Sequence, residues 1–175
     1  MNLYILRHAS AGIRRASPTV DAKRPIDKEG KEQCLLVARY LNGLKVQFDL
    51  IASSPLKRAL QTASLVGTEV AYDSKIQITE ALSPSGTVSE FQALVTSFSA
   101  YENVLVVGHN PNLSEFLGSL ICAPRAASIR MRKGAISRVD CTRRPGQLIS
   151  LVDPRILRSV YASAAKSSRR NTSRK

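Results

Sequence analysis

Two short apolar runs, each ending in a histidine, limit what this chain can fold into more than any other feature. Leu3 to Leu6 stops at Arg7-His8, and the all-apolar stretch Val104-Leu105-Val106-Val107 runs through Gly108 into His109-Asn110-Pro111. An aliphatic, β-branched run without polar alternation fits a central parallel strand covered on both faces. A strand that served only structure would not need to end in such groups. Arginine presents a fork of donors that matches phosphate, and histidine is a base near neutral pH.

A third segment repeats the theme. Asp49 to Ala52 reads as a short strand, and Ser53-Ser54-Pro55-Leu56-Lys57-Arg58 follows it. Ser54 as N-cap with Pro55 at the first helical position predicts a helix there. Its buried stripe would be Leu56, Ala59, Leu60 and Ala63, with Gly67 closing it. Arg58 lies off that stripe, and a cation near a helix amino end opposes the helix dipole unless an anion binds beside it.

The remaining segments alternate between strand and helix. After a first strand over residues 2–6, Ser10 to Pro25 lacks periodicity and reads as a loop over the strand ends. Asp27 is a plausible N-cap for a helix with Cys34, Val37, Ala38 and Leu41 inward and Gly43 at its stop. Ile76 to Ile78 is a short strand candidate, followed by the turn-rich Glu80-Ala81-Leu82-Ser83-Pro84-Ser85-Gly86. Thr87 to Glu90 has the form of a capping box, before Phe91, Leu94, Val95 and Phe98 at helical spacing. Asn110-Pro111 opens another helix with Leu113, Phe116, Leu117, Leu120 and Ile121 inward. Ala135–Asp140 and Gln147–Val152 predict a hairpin through Arg143-Arg144-Pro145-Gly146. Asp153-Pro154 starts a last helix with Ile156, Leu157, Val160 and Tyr161 inward. The pattern predicts an α/β three-layer sandwich, a mostly parallel central sheet flanked by helices. One domain over residues 1–165 and a basic, flexible tail over 166–175 account for the chain.

Composition excludes several alternatives. Cys34, Cys122 and Cys141 are odd in number and dispersed, and only two histidines exist, so neither a disulfide framework nor a thiolate or multi-histidine metal site is expected. No metal or other cofactor is predicted. The first apolar run is too short for a signal peptide, and no stretch approaches the roughly 20 apolar residues of a membrane span. A cytoplasmic protein with no membrane partner is expected. The formal net charge is +13. Part of it lies in the tail, and seven basic residues between Arg125 and Arg144 face only Asp140. Such a field is either solvated surface or attracts anionic partners, an acidic phosphoprotein or a nucleic acid.

In open α/β sheets ligands bind beyond the carboxyl ends of the strands. If the strands ending at His8 and His109 are neighbours, Arg7, His8, Arg58 and His109 meet over one crevice. Arg7-His8-Ala9, Ser53-Ser54-Pro55 with Arg58-Ala59-Leu60-Gln61-Thr62-Ala63, and Val107-Gly108-His109-Asn110-Pro111 together resemble the histidine phosphatase superfamily. The likeness is greatest to its short, SixA-type phosphohistidine phosphatases. Asp21 with Arg24-Pro25, Gly30, and Leu82-Ser83-Pro84-Ser85-Gly86 extend the resemblance over roughly residues 2–152.

That resemblance implies a phosphoglycerate mutase-like fold and His8 as a nucleophile that takes up the phosphoryl group. It also implies that Arg7, Arg58 and His109 stabilise its oxygens, without a metal. Arg24, Ser53 and Asn110 are further candidates for holding substrate. Nearby arginines should keep His8 neutral. Two departures stand out. Ala9 replaces the commoner glycine, which predicts altered loop geometry. The Gly-x-x-Glu-Gly type loop of longer relatives is missing, leaving Glu80 and Asp21 as candidates for the general acid. An alkoxide leaving group needs such an acid, whereas an imidazole with a pKa of about 6.5 leaves once its ring is protonated.

A phosphohistidine-bearing protein domain is therefore the expected substrate and partner. A small phosphorylated metabolite or diphosphate is the alternative. A non-catalytic phosphate- or nucleic-acid-binding module is the third reading, with nucleic acid disfavoured by the intact quartet. Oligomeric state does not follow from the sequence.

Overall fold

Side chains along the first strand, β1 (Asn2–Arg7), alternate between two cores. Leu3 and Ile5 pack in one, Tyr4 and Leu6 in the other. The strand β4 (Asn103–Gly108) does the same, with Val104 and Val106 on one side and Leu105 and Val107 on the other. A period of two with both faces apolar is what a sheet buried between helical layers requires. The protein's structure, a computed structural model, describes residues 1–122 and 129–172. Arg125, at the start of the basic segment, and residues 173–175 of the tail fall outside the described residues.

The sheet has six strands in the order β3-β2-β4-β1-β5-β6. Strands β2 (Leu50–Ser53) and β3 (Gln77–Ile78) pair parallel to their neighbours, as do β1 and β4. The hairpin of β5 (Ile136–Asp140) and β6 (Gln147–Val152) adds an antiparallel edge. Helices α2 (Lys28–Gly43), α3 (Lys57–Glu69) and α6 (Pro154–Thr172) cover one face. Helices α4 (Val88–Ser97) and α5 (Asn112–Ile121) cover the other, where Phe91 and Phe116 stack at 4.4 Å. Burying each such ring contributes roughly 1.5–3 kcal/mol. The three-layer sandwich is the architecture expected. Among the described residues no helix is long and apolar enough to cross a membrane.

The caps at Asp27 and Thr87 form as expected; Asp27 accepts from Gly30 N–H, and Thr87 and Glu90 complete a capping box. Gly30 is there because a Cβ would be driven into the carbonyl oxygen of Ser10.

Several local expectations need correction. The loop from Ser10 to Pro25 contains a five-residue helix, α1 (Pro18–Ala22), too short to show a period. Helix α3 begins at Lys57 with Leu56 as N-cap, because the Ser54 hydroxyl is engaged elsewhere. Its buried residues include Arg58, Ala59, Thr62, Ala63 and Val66, while Leu56 and Leu60 are only half-buried. Helix α5 starts at Asn112, two residues later than expected. On α6 Leu157 is buried, but Ile156 and Val160 are exposed. That helix spans Pro154–Thr172.

Candidate active site

Register brings the two histidines together. Arg7 on β1 pairs with Gly108 on β4, and His8 N–H donates to Gly108 O at 3.0 Å. The next residue on each strand is a histidine, and the rings of His8 and His109 lie 4.9 Å apart between centroids. On the other side of β4, Ser53 pairs with Val107 and Ser54 N–H donates to Val107 O. Three strands thus end side by side, where α/β sheets bind ligands. Beyond them opens a cavity of about 570 Å³ whose lining includes Arg7, His8, Arg58, His109, Arg24 and Asn110.

The His8 ring has a defined tautomer. Nδ1 lies 2.8 Å from Ala9 O, and a carbonyl only accepts, so Nδ1 carries the proton. In a neutral ring Nε2 then holds the lone pair. Burial above all pushes the pKa down to about 3; the Ala9 hydrogen bond opposes this, and Arg58, Arg7 and Lys133 reinforce it. The ring is neutral at pH 7 and nucleophilic at Nε2. Ala9 itself is buried, donates its N–H to Thr62 Oγ1 at 3.1 Å, and is not among the residues with positive φ. Its Cβ therefore fits without backbone strain.

His109 is oriented from the opposite side. Its Nε2 lies 2.8 Å from Ser54 Oγ, which also accepts from Leu56 N–H at 3.3 Å. The hydroxyl can donate to Nε2 or accept from it, and in either direction the bond holds the ring in place. His109 Nδ1 is buried and has no partner among the described residues. Burial, then His8, Arg58 and Arg7, push its pKa down to about 2. It is neutral at pH 7.

The arginines are each held by one Nη1. Arg7 Nη1 donates to Met131 O at 2.8 Å, and Arg58 Nη1 donates to Asp21 O at 3.0 Å and Asp21 Oδ2 at 3.3 Å. The Nε of each is buried without a partner among the described residues. Arg58 is 6% exposed, so it is no ordinary surface arginine. Orphaned buried donors cost free energy unless a ligand satisfies them. Arg7, Arg58 and His109 line one cavity with the free nitrogen lone pair of His8, a set suited to attack on a tetrahedral oxyanion.

The profile of the Histidine phosphatase superfamily (branch 1) matches residues 3–83. Phosphohistidine phosphatase SixA of Escherichia coli (strain K12) is 30% identical over 122 residues, which cover 69% of this chain and 74% of that protein. The chain belongs to the histidine phosphatase superfamily. The solved structure of the protein histidine phosphatase SixA complexed with tungstate has a TM-score of 0.81 at 27% identity, covering 90% of this chain and 99% of that one. The α-ribazole phosphatase of Shigella flexneri shares the fold, with a TM-score of 0.70 at 20% identity over 88% of this chain and 97% of that one. Membership and the SixA likeness support a phosphatase on the phosphoglycerate mutase-like fold.

In this histidine phosphatase the outer candidates separate. Arg24 lines the cavity, but Nε is spent on Asp21 Oδ1 at 2.8 Å and Nη1 on Ala11 O and Gly12 O at 2.6 and 3.2 Å, so it braces the loop. Asn110 Nδ2 donates to Met131 O at 2.9 Å, and its Oδ1 is buried without a partner among the described residues. Ser53 is fully buried behind the cavity, its hydroxyl donating to Ser54 O at 3.0 Å, so it is not placed to touch substrate.

Neither carboxylate candidate is placed or poised as a general acid. Glu80 is exposed on a 3-10 turn (Glu80–Leu82) and does not line the cavity. Asp21 does line it, yet the Arg24 hydrogen bond, with Arg15 N–H and Arg58 beside it, holds its pKa near about 2. It is ionised at neutral pH and ties the loop to Arg58.

Sequence reasoning missed Ser54 as the partner of His109 and Thr62 as the support of Ala9. Thr62 Oγ1 donates to Arg58 O at 2.7 Å while accepting from Ala9 N–H, joining α3 to the end of β1. The spacing Arg58-x-x-x-Thr62, one helical turn, was the available signal.

Proposed function

We propose that the protein is a phosphohistidine phosphatase that removes the phosphoryl group from a phosphohistidine-bearing protein domain through a phospho-His8 intermediate. The observation that carries this reading is the His8 Nδ1–Ala9 O hydrogen bond, which leaves Nε2 as a free base among Arg7, Arg58 and His109.

Nε2 attacks phosphorus in line. The P–N bond to the substrate ring breaks and its electron pair returns to that ring, which departs as neutral imidazole because its other nitrogen is already protonated. Arg7, Arg58 and His109 bind the equatorial oxygens as charge redistributes. Phospho-His8 then bears phosphorus on Nε2 and a proton on Nδ1, held by Ala9 O. That cationic ring is a good leaving group in turn. Water attacks, the P–N pair returns to Nε2, the water's protons stay with phosphate, and His8 regains its starting tautomer.

The substrate class rests on the carboxylates. With Asp21 ionised and Glu80 outside the cavity, no described carboxyl is poised to protonate an alkoxide, whereas imidazole needs no such acid. The SixA relative was solved in complex with tungstate, an oxyanion, which fits a phosphate-directed reading of this protein. We read the protein as cytoplasmic and the reaction as metal-independent.

A substrate panel tests this: a phosphohistidine protein, a phosphohistidine peptide, p-nitrophenyl phosphate and sugar phosphates, each with and without a chelator. Turnover of the first two in preference, unchanged by the chelator, is expected. Preference for a sugar phosphate moves the assignment to small metabolites, and silence throughout leaves a binding module.

A further inference from the structure

The catalytic cavity does not end at its own rim. A second cavity of about 450 Å³ adjoins it, sharing Arg7, Asn110 and Lys133 and adding Arg130, Arg132 and Arg155 to the lining. The catalytic cavity is also lined by Arg14 and Arg15, which the second does not share. Three carboxylates stand in these walls against this charge: Glu29, which accepts from Gln33 Nε2 at 3.1 Å, and two already shared between arginines. Asp21 is held by both Arg24 and Arg58, and Asp153 by both Arg132 and Arg155. Among the described residues Arg14, Arg15, Arg130 and Lys133 have no salt-bridge partner.

An exposed apolar side chain adjoins Arg14 and Arg15 in the chain. Ile13 is 84% exposed beside Arg14 and Arg15. The loop holding it is pinned on both sides: Gly12 N–H donates to Asp27 Oδ2 at 2.7 Å, and Arg15 N–H to Asp21 Oδ1 at 2.8 Å. Gly12 takes φ +65°, a conformation that suits glycine and sets the turn. Ile13 is therefore presented by a braced loop.

We propose that the two basic flanks and Ile13 form a docking surface for the acidic face of a protein domain that delivers its phosphohistidine into the cavity. The inference rests on the phosphatase reading above and names how the partner is recognised. Complementary charge raises the encounter rate and orients the partner, and an apolar anchor ringed by polar groups supplies the short-range energy. A small metabolite would not reach both flanks. Nucleic acid fits less well, because no tyrosine or phenylalanine lines either cavity to stack a base.

The test uses the full chain and the variants Ile13→Ser and Arg130→Glu, which alter the surface and not the catalytic quartet. The probe is a histidine phosphotransfer domain of net negative charge, used unphosphorylated for binding and phosphorylated with phosphoramidate for turnover. Both variants should raise KM and weaken binding by about tenfold, with kcat and hydrolysis of the phosphoramidate ion unchanged. Added salt should weaken binding to the parent chain. Turnover of the domain with KM unchanged in both variants overturns the docking surface and leaves the phosphatase reading intact. Weakened binding in the variants, with no turnover by any form, keeps the surface and sinks that reading. A short DNA duplex that binds more tightly than the domain overturns the protein partner.

Discussion

Ser54 Oγ and His109 Nε2 lie 2.8 Å apart, both buried, at the ends of adjacent strands. Through this bond the serine holds the His109 ring in its orientation at the end of β4. A residue that looks like a helix cap in the sequence thus becomes the partner of a histidine at the mouth of the cavity.

Ser54→Ala should lower kcat by roughly tenfold, the value of one buried hydrogen bond, with KM for substrate little changed. The threonine variant, which keeps the hydroxyl, should recover part of the loss. Steady-state kinetics with unchanged thermal unfolding of the alanine form would check it. Equal losses in both variants would assign Ser54 a packing role instead.

His8→Ala should abolish turnover and the acid-labile, base-stable label that substrate leaves on the enzyme. Rapid quench with phosphate analysis reads both at once. Label that persists in the variant would place the nucleophile elsewhere.

Arg58→Ala should cut kcat by about 10²–10³-fold, the range seen when one oxyanion donor is removed. Lysine should not restore it, since a point charge cannot replace the guanidinium contacts to Asp21 O and Asp21 Oδ2. Near-normal kinetics in a folded variant would remove Arg58 from the site.

Acid should act on stability before it acts on the nucleophile. With the folded pKa of His8 at about 3 against 6.5, and that of His109 at about 2, the unfolded chain binds more protons below pH 6.5. Stability should therefore fall as pH drops from about 6.5 toward 3, by up to about 1.4 kcal/mol per pH unit for each histidine. Asp21, lowered from 3.8 to about 2, adds a loss in the same direction below pH 3.8. Urea titrations at several pH values should show the slope, and His8→Asn should roughly halve it between pH 6.5 and 4, leaving the share of His109. Meanwhile kcat/KM, corrected for substrate ionisation, should show no limb centred near 6.5. Such a limb would mean that the free enzyme protonates His8 there.

Glu80→Gln should leave kcat/KM on phosphohistidine within about twofold, as for an exposed substitution away from the chemistry. A loss of several orders of magnitude would return Glu80 to the role of acid.

Much of the fold was open to reading because its signals are local. The runs ending at His8 and His109, the caps at Asp27 and Thr87, and the β5–β6 hairpin depend on neighbours within a few residues. Helix α1 was missed for lack of any repeat, and the start of α3 because Ser54 bonds a residue 55 positions away. Ile156 and Val160 follow helical spacing, yet α6 meets the core mainly through Leu157, so both stay exposed.

The amino-acid sequence alone determined which chemical groups stand at the strand ends and that two apolar runs would carry them into a buried sheet, because side-chain type and a period of two are properties of short segments. Tertiary structure alone decided that Nε2 of His8 is the free base, that Asp21 is ionised, that Arg58 is buried and that Ser54 serves His109. Each of these depends on burial and on bonds between segments far apart in the chain, and a protonation state is set by what surrounds a group rather than by the group itself.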